Sequence, residues 1–272
     1  MTEKRLTSYI EKTAAEKQKQ LHTLRPMDAN VWLGKPKEFP LAPELFPADV
    51  EKEARRYGYA GCLVSHWKGV TLSAQDGNRA LLEAEPFFSG DVYTVWTGLP
   101  LLPREQEPLP GFGPPQGRMR GVRLFPKSHR YPFTPWVVGD LCAWCIEFRV
   151  PLFVWHVEND WRDLFATAAE FPELTIVVET QWQKILYHNR VLYNLLDRCQ
   201  NVLVEISNFA GQDFLQHGVQ QFGAERFLFG SFLPVSDPYV PLGMVVDSGL
   251  TEKEQERIAR GNLERLVQGV KS

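Results

Sequence analysis

The sequence predicts an α/β protein, a (β/α)8 TIM barrel carrying an extra N-terminal helix. Three observations point there. Eight short apolar, β-branched runs recur along the chain: "MDANVWL", "AGCLVSH", "DVYTVWT", "GVRLF", "PLFVWH", "LTIVVE", "NVLVEIS" and "RFLFGS". Stretches of helical character separate most of them, the pattern of a parallel sheet wrapped by helices. The 272 residues are enough for one barrel, and eight strands over about 200 residues fit a closed barrel better than an open sheet of five or six.

The elements follow in order. Residues 1–25 are polar with a weak 3.6-residue period in Leu6, Ile10, Leu21 and Leu24, which predicts a helix outside the main core. Pro26 ends it, so 1–25 form a helical extension and 26–272 the barrel domain. "PADVEKEARRYGYAG" has acidic residues in its first turn and Gly58 at its exit, favourable to the helix dipole and the C-cap. "DGNRALLEA" places Gly77 and Asn78 at a loop-to-helix junction, where Asn78 reads as a cap rather than a ligand contact. After the third run, "GLPLLPREQEPLPGFGPPQGRMRG" is too rich in Pro and Gly for a regular helix. Following the C-terminal end of a strand, it is either a lid over the barrel mouth or an ordinary long loop. "NDWRDLFATAAEFPE" starts on Asn159 as a cap and is followed by Pro172, and "LTEKEQERIARGNLERLV" opens with a capping box, Thr251 three residues before Glu254.

Composition bounds the partners. The chain is 44% hydrophobic and 23% charged with a formal net charge of -3, which gives no electrostatic reason to expect nucleic acid or an anionic membrane. The first twenty residues are charged throughout and lack the apolar core of a signal peptide. No apolar run approaches the roughly 18 residues of a membrane span. The expected location is cytoplasmic, the expected partner a small anionic molecule, and a homodimer stays open. Cys142 and Cys145 lie three apart in the helix-like "GDLCAWCIEFRV", with no second Cys or His pair at zinc spacing. They read as packing residues on one helix face. His22, His129, His188 and His217 read as surface or local hydrogen-bonding residues, and Lys68 as a solvated loop lysine.

Several segments together resemble the amidohydrolase-related barrels, which include metal-dependent hydrolases and aromatic-acid decarboxylases. "ERFLFGSFLPVSDPYVPLGMVVDSGLTEKEQERIARGNLERLV" is similar to the family ending, where a strand leads to G-S-D-x-P and the last helix holds N-x-x-R-L. "EFPELTIVVE" resembles the family's acidic "FP" turn before a strand that normally ends in His, and "RGVRLFP" and "PLFVWHVE" resemble its fourth and fifth strands. The similarity runs from about residue 27 to residue 267 and implies the fold.

The resemblance also says where metal ligands would stand. The opening H-x-H falls on Asn30 and Trp32, the fifth-strand His is kept as His156, the sixth-strand His falls on Glu179, and the Asp of G-S-D falls on Phe232. An indole cannot ligate a metal and an amide is a poor ligand, so the ordinary zinc site is not expected and no cofactor is implied. A two-His, two-carboxylate cluster of His66, His156, Glu179 and Glu205 is the remaining metal option, opposed by the charge of Arg123.

Without a metal, two readings follow. In one, Arg123, Glu179 and Glu205 form a polar plug that ties the strand ends together, because a buried carboxylate needs a partner. In the other they line a pocket: Arg123 clamps an anion, His156 acts as general acid/base with a pKa near working pH, and a glutamate orients it. Trp32 and Trp96 then form the aromatic wall, with Asn30, His66 and Ser231 as further contacts. The functional expectations are a metal-independent hydrolase or lyase acting on a small carboxylate, or a catalytically inactive barrel that binds a small anionic ligand or a partner protein.

Overall fold

Each of the eight apolar runs forms a strand in the computed structural model, which describes residues 19, 23–100, 113–181, 188–209, 211 and 213–271. The strands are β1 (Met27–Leu33), β2 (Gly61–His66), β3 (Asp91–Thr97), β4 (Met119–Leu124), β5 (Leu152–Trp155), β6 (Ile176–Glu179), β7 (Val202–Glu205) and β8 (Phe227–Leu228). They pair in parallel in sequence order, β1 to β8. The seam between β8 and β1 is bridged by Ala29 N–H donating to the Phe229 carbonyl at 3.1 Å and Trp32 N–H to the Leu233 carbonyl at 2.8 Å. The expected (β/α)8 barrel is the observed architecture.

Ten α-helices are assigned among the described residues: α1 (Val50–Arg56), α2 (Lys68–Thr71), α3 (Ala74–Ala84), α4 (Pro135–Phe148), α5 (Trp161–Glu170), α6 (Asn189–Arg198), α7 (Phe214–Phe222), α8 (Tyr239–Val246), α9 (Glu252–Glu256) and α10 (Asn262–Gly269). The expected N-terminal helix lies outside the described residues apart from 19 and 23–25, as do His22 and residues 101–112 of the long β3–β4 connection. None of the described helices is long and apolar enough to cross a membrane.

Strand alternation sorts the core into two clusters. Residues such as Cys62, Val64, Val122, Val154 and Val178 face the helices, whereas Leu63, Val95, Phe153, Val177, Leu203 and Leu228 fill the barrel interior. Leu263, Leu266 and Val267 of α10 join the interior cluster together with Met27, the first residue of β1. The helix thereby stoppers the end of the barrel where the strands begin. Its attachment explains the N-x-x-R-L pattern: Asn262 donates from Nδ2 to the carbonyls of Ala224 and Phe227 at 2.7 and 2.8 Å, fastening α10 to the entrance of β8. Between α9 and α10 one π-helical turn, Arg257–Gly261, presents the Ile258 carbonyl to the Phe229 N–H at 3.0 Å. The irregular turn thus serves a strand whose backbone would otherwise lack a partner.

Several local expectations hold. Thr251 and Glu254 form the capping box, and Gly58 follows α1 in the left-handed region at φ +70°. Cys142 and Cys145 are free, buried and part of the helix-facing core. Burial pushes both thiols up, Cys142 to about 12, which makes them poor nucleophiles.

Two local expectations are corrected. The cap of α5 is Asp160, which accepts from the Arg162 N–H at 2.8 Å, while Asn159 donates to the Trp155 carbonyl. α3 begins earlier than expected, capped by Ser73, so Asn78 lies within the helix. There its side chain clamps the end of β3, accepting from the Thr97 N–H at 2.7 Å and donating to the Thr97 carbonyl at 2.9 Å. A buried Asn meets its hydrogen-bonding need across to a strand as readily as at a helix end. Gly77 permits the close packing of α3 on α2: a Cβ there would stand 2.4 Å from the Gly69 Cα.

Candidate functional site

Above the apolar interior, the inward positions of the strands change from hydrocarbon to polar groups. On β4 the change is at Arg123, on β6 at Glu179, on β7 at Glu205, on β2 at Ser65 and on β1 at Asn30, while the buried Asp28 lies between the inward Met27 and Ala29. Arg123, Glu179, Glu205, Asp28 and Asn30 are each 0% exposed, so every polar atom must find its partner inside the protein.

Arg123 is the hub. Its Nε donates to Glu179 Oε2 at 2.9 Å and its Nη2 to Glu179 Oε1 at 2.6 Å, a two-pronged pairing with both carboxylate oxygens. Nη2 also donates to the Ala29 carbonyl at 3.3 Å, and Nη1 to Ser65 Oγ. Ser65 Oγ in turn donates to the Val95 carbonyl at 3.0 Å. The guanidinium carbon lies 4.8 Å from the Trp32 ring centroid and 5.4 Å from that of Phe153. Burial pushes the Glu179 carboxyl above its ordinary value, and the charge and hydrogen bonds of Arg123 offset only part of that rise.

Glu205 is held differently. It stands beside Glu179 in the β6–β7 register and accepts from the N–H of Ser207 at 2.8 Å and from its hydroxyl at 3.0 Å. Burial, and then the neighbouring charge of Glu179, raise its carboxyl to about 8. Gly230 makes room for it, since a Cβ there would stand 2.0 Å from Glu205 Oε1. On β1, Asp28 accepts from the backbone N–H groups of Asn30 and Ser231, both at 2.9 Å, and from the Ser231 hydroxyl at 2.5 Å. Burial raises this carboxyl too.

Five aromatic rings cover the polar layer: Trp32, Trp67, Phe125, Trp155 and Phe232, all buried in one cluster. Trp32 sits at its centre, 4.5 Å from Trp67, 5.3 Å from Trp155, 6.1 Å from Phe125 and 6.4 Å from Phe232 between centroids. Its indole N–H donates to Asn30 Oδ1 at 2.6 Å, while Asn30 Nδ2 has no hydrogen-bond partner among the described residues. Phe232 adopts φ +62°, a left-handed conformation costing roughly 1–2 kcal/mol for a residue with a Cβ. Its ring packing offsets that cost, because burying one phenyl ring is worth about 1.5–3 kcal/mol.

The expected site residues thus separate into groups. Arg123, Glu179, Glu205, Asn30, Trp32 and Ser231 meet at the strand ends. His156 joins their margin: it is 2% exposed, its Nδ1 lies 3.3 Å from the Glu179 carbonyl oxygen and its Nε2 has no partner among the described residues. Burial, then the charges of His188 and Lys127, outweigh that hydrogen bond and bring its pKa down to about 4. The expectation of a histidine titrating near working pH is therefore corrected: the imidazole is neutral there.

Trp96 is also corrected. It faces outward into the helix-side core, with its Nε1 on Thr94 Oγ1 at 3.0 Å, because regular alternation along β3 turns Tyr93 and Val95 inward and Val92 and Trp96 outward. His66 turns away as well: its Nδ1 accepts from the Lys68 N–H at 3.1 Å at the start of α2, and its ring lies against Gly34. Among the described residues, no three His, Cys, Asp or Glu side chains group so as to hold a metal ion. The other described histidines behave locally: His188 accepts from Trp161 Nε1 at 2.7 Å, His129 packs against Phe125, and His217 is exposed.

Asp28, Ser65, Trp67, Phe125 and Trp155 also belong to the site beyond the expected residues, and each has a signal in the sequence. Asp28 shares the opening stretch with Asn30 and Trp32, an acid amid β-strand residues. Ser65 alternates with Leu63 on β2. The three rings occupy strand ends, where a bulky apolar residue reads as ordinary core.

The Glu205 environment has a measurable consequence. Its folded value of about 8 exceeds the ordinary 4.5, so the folded chain keeps a proton that the unfolded chain releases. The resulting stabilisation is full below the unfolded value and is lost as pH rises through the folded one. Glu205→Gln keeps an acceptor for Ser207 and removes the ionisation. In urea denaturation it is expected to match the wild type at pH 5 and to exceed it at pH 8.5; equal weakening at both pH values would contradict this.

No family model and no curated protein matches the chain. Solved structures do. A TIM-barrel protein from Bordetella bronchiseptica is 18% identical, with a TM-score of 0.64 over 90% of this chain and 98% of that one. 5-carboxyvanillate decarboxylase from Sphingomonas paucimobilis is 12% identical, with a TM-score of 0.66 over 90% and 99%. An amidohydrolase from Burkholderia multivorans with bound zinc is 16% identical, with a TM-score of 0.65 over 89% and 98%. The chain therefore has the fold of the amidohydrolase-related TIM barrels, over nearly the whole length of these proteins. At such identities the likeness speaks for architecture alone.

Proposed function

We propose that this chain is a non-catalytic barrel of amidohydrolase-like architecture that acts by binding a partner protein. The observation that carries this reading is the saturation of Arg123 and Glu179 by each other, sealed beneath the aromatic rings. A small anion would need that guanidinium, which already holds a carboxylate, and a partner protein needs no strand-end opening. The donors at the positions where the resemblance puts metal ligands do not fit a divalent cation. Asn30 Oδ1 receives an indole N–H, Trp32 and Phe232 offer only ring surface, and Glu179 is occupied by Arg123.

A second reading, an enzyme acting on a small carboxylate, has one observation in its favour: the buried Nε2 of His156, without a partner among the described residues. It needs the Arg123–Glu179 pair to open. One experiment separates the two. The purified protein is incubated with 5-carboxyvanillate and 2-pyrone-4,6-dicarboxylate, the latter named for a similar Pseudomonas putida structure as a substrate of a hydrolase, with added zinc or manganese and with chelator. The non-catalytic reading expects no conversion beyond that of His156→Ala. Turnover that disappears in His156→Ala with the circular dichroism unchanged would overturn it and establish the second reading.

A further inference from the structure

The surroundings of Arg123 form a complete receptor for a planar cation. A carboxylate meets one edge of the guanidinium with both oxygens, a hydroxyl and a backbone carbonyl take further N–H groups, and the Trp32 and Phe153 rings lie 4.8 and 5.4 Å from its central carbon. Each contact answers a feature that guanidinium has and a spherical ion lacks: a forked edge, fixed N–H directions and a flat face. Glu179 is fully enclosed in this shell, and Arg123 is the cation its carboxylate pairs with. The shell therefore needs a cation to be stable.

We propose that this shell is a guanidinium-binding site that the chain occupies with its own Arg123, standing in the barrel where the family resemblance implies a divalent metal. The inference rests in part on the non-catalytic reading, because a saturated site is one that no substrate enters. The site selects by shape and hydrogen-bond direction, so a ligand with a guanidinium head can replace the tethered one and a metal ion cannot.

The test uses Arg123→Ala in the full chain, which removes Cγ, Cδ and the guanidinium, the atoms of N-ethylguanidinium. Buried cavities of this kind admit small molecules of matching shape. Melting temperature and calorimetric binding are measured with N-ethylguanidinium, with ethylammonium and sodium chloride at equal ionic strength, and with zinc or manganese. The variant is expected to melt on the order of 10 °C below the wild type. Millimolar N-ethylguanidinium is expected to restore at least half of that loss, ethylammonium and salt none of it, and the restoration is expected to vanish in Arg123→Ala/Glu179→Gln.

Rescue by ethylammonium equal to that by N-ethylguanidinium would overturn the proposal, and so would greater rescue by zinc or manganese, or no rescue at all. Should Arg123→Ala not fold, Arg123→Lys decides, since lysine keeps the charge and loses the fork. A melting temperature clearly below the wild type supports shape recognition; one equal to it overturns the proposal. Substrate turnover by the wild type would sink the proposed function and leave the rescue result readable, so the two fail separately.

Discussion

Arg123→Met is expected to lower the unfolding free energy by about 3–5 kcal/mol, because it leaves Glu179 with an uncompensated buried charge. The wild-type pair is fully enclosed, with Nη2 and Oε1 2.6 Å apart and side-chain exposures of 1% and 0%. Solvent therefore cannot screen it as it screens the exposed pair of Arg55 and Glu51. The double variant Arg123→Met/Glu179→Met removes both charges at once and is expected to be clearly more stable than the single variant, since well-packed apolar replacements of buried pairs are often neutral. Urea denaturation of the four proteins in the cycle measures the coupling. Additive losses would show that the two side chains stabilise the fold independently, contrary to the geometry described.

Trp32→Ala is the second large effect. Trp32 is 0% exposed and touches four other aromatic rings as well as the face of Arg123. Truncation leaves a cavity at the centre of the strand-end cluster, with a loss of about 3–5 kcal/mol expected from large-to-small core substitutions. Trp32→Phe keeps a ring over Arg123 and gives up the hydrogen bond to Asn30, so its loss is expected to be smaller. A Trp32→Ala protein within about 1 kcal/mol of wild type would mean that the cluster repacks freely and does not seal the polar layer.

The fold was legible because its signals repeat. Eight β-branched runs, separated mostly by helix-like stretches with caps and stops, leave few arrangements other than a barrel, and even the two-residue β8 lies inside a run recognised from its apolar pattern. Errors clustered where one residue decides a direction. Trp96 belongs to the outward set with Val92, and Tyr93 and Val95 to the inward one; both sets in "DVYTVWT" hold bulky apolar residues, so the pattern alone does not say which faces the interior. His66 follows an inward Ser65 and so faces away from the interior. Asn159 and Asp160 are both competent caps, and only the backbone shows that Asp160 has the role.

The candidate site was legible in membership more than in meaning. Arg123, Glu179 and Glu205 could be recognised as mutual partners because buried charges require compensation, and the structure joins the first two directly while Glu205 instead relies on Ser207. Whether those residues face an open pocket or a closed layer depends on Trp67, Phe125 and Trp155, which come from three separate strand ends. Their convergence is a long-range property of the closed barrel, so no local pattern carries it. The substitution of Phe232 for the family's aspartate was the clearest advance sign, since an apolar ring in that position argues for packing over hydrogen-bonded chemistry.

The most direct test is a crystal grown with millimolar manganese or zinc and measured at the metal's absorption edge. The account predicts no anomalous peak among Asn30, His156, Glu179 and Phe232, with the Arg123 guanidinium resolved against both oxygens of Glu179. A strong peak within bonding distance of His156 Nε2 or the Glu179 carboxylate, with Arg123 displaced, would contradict it.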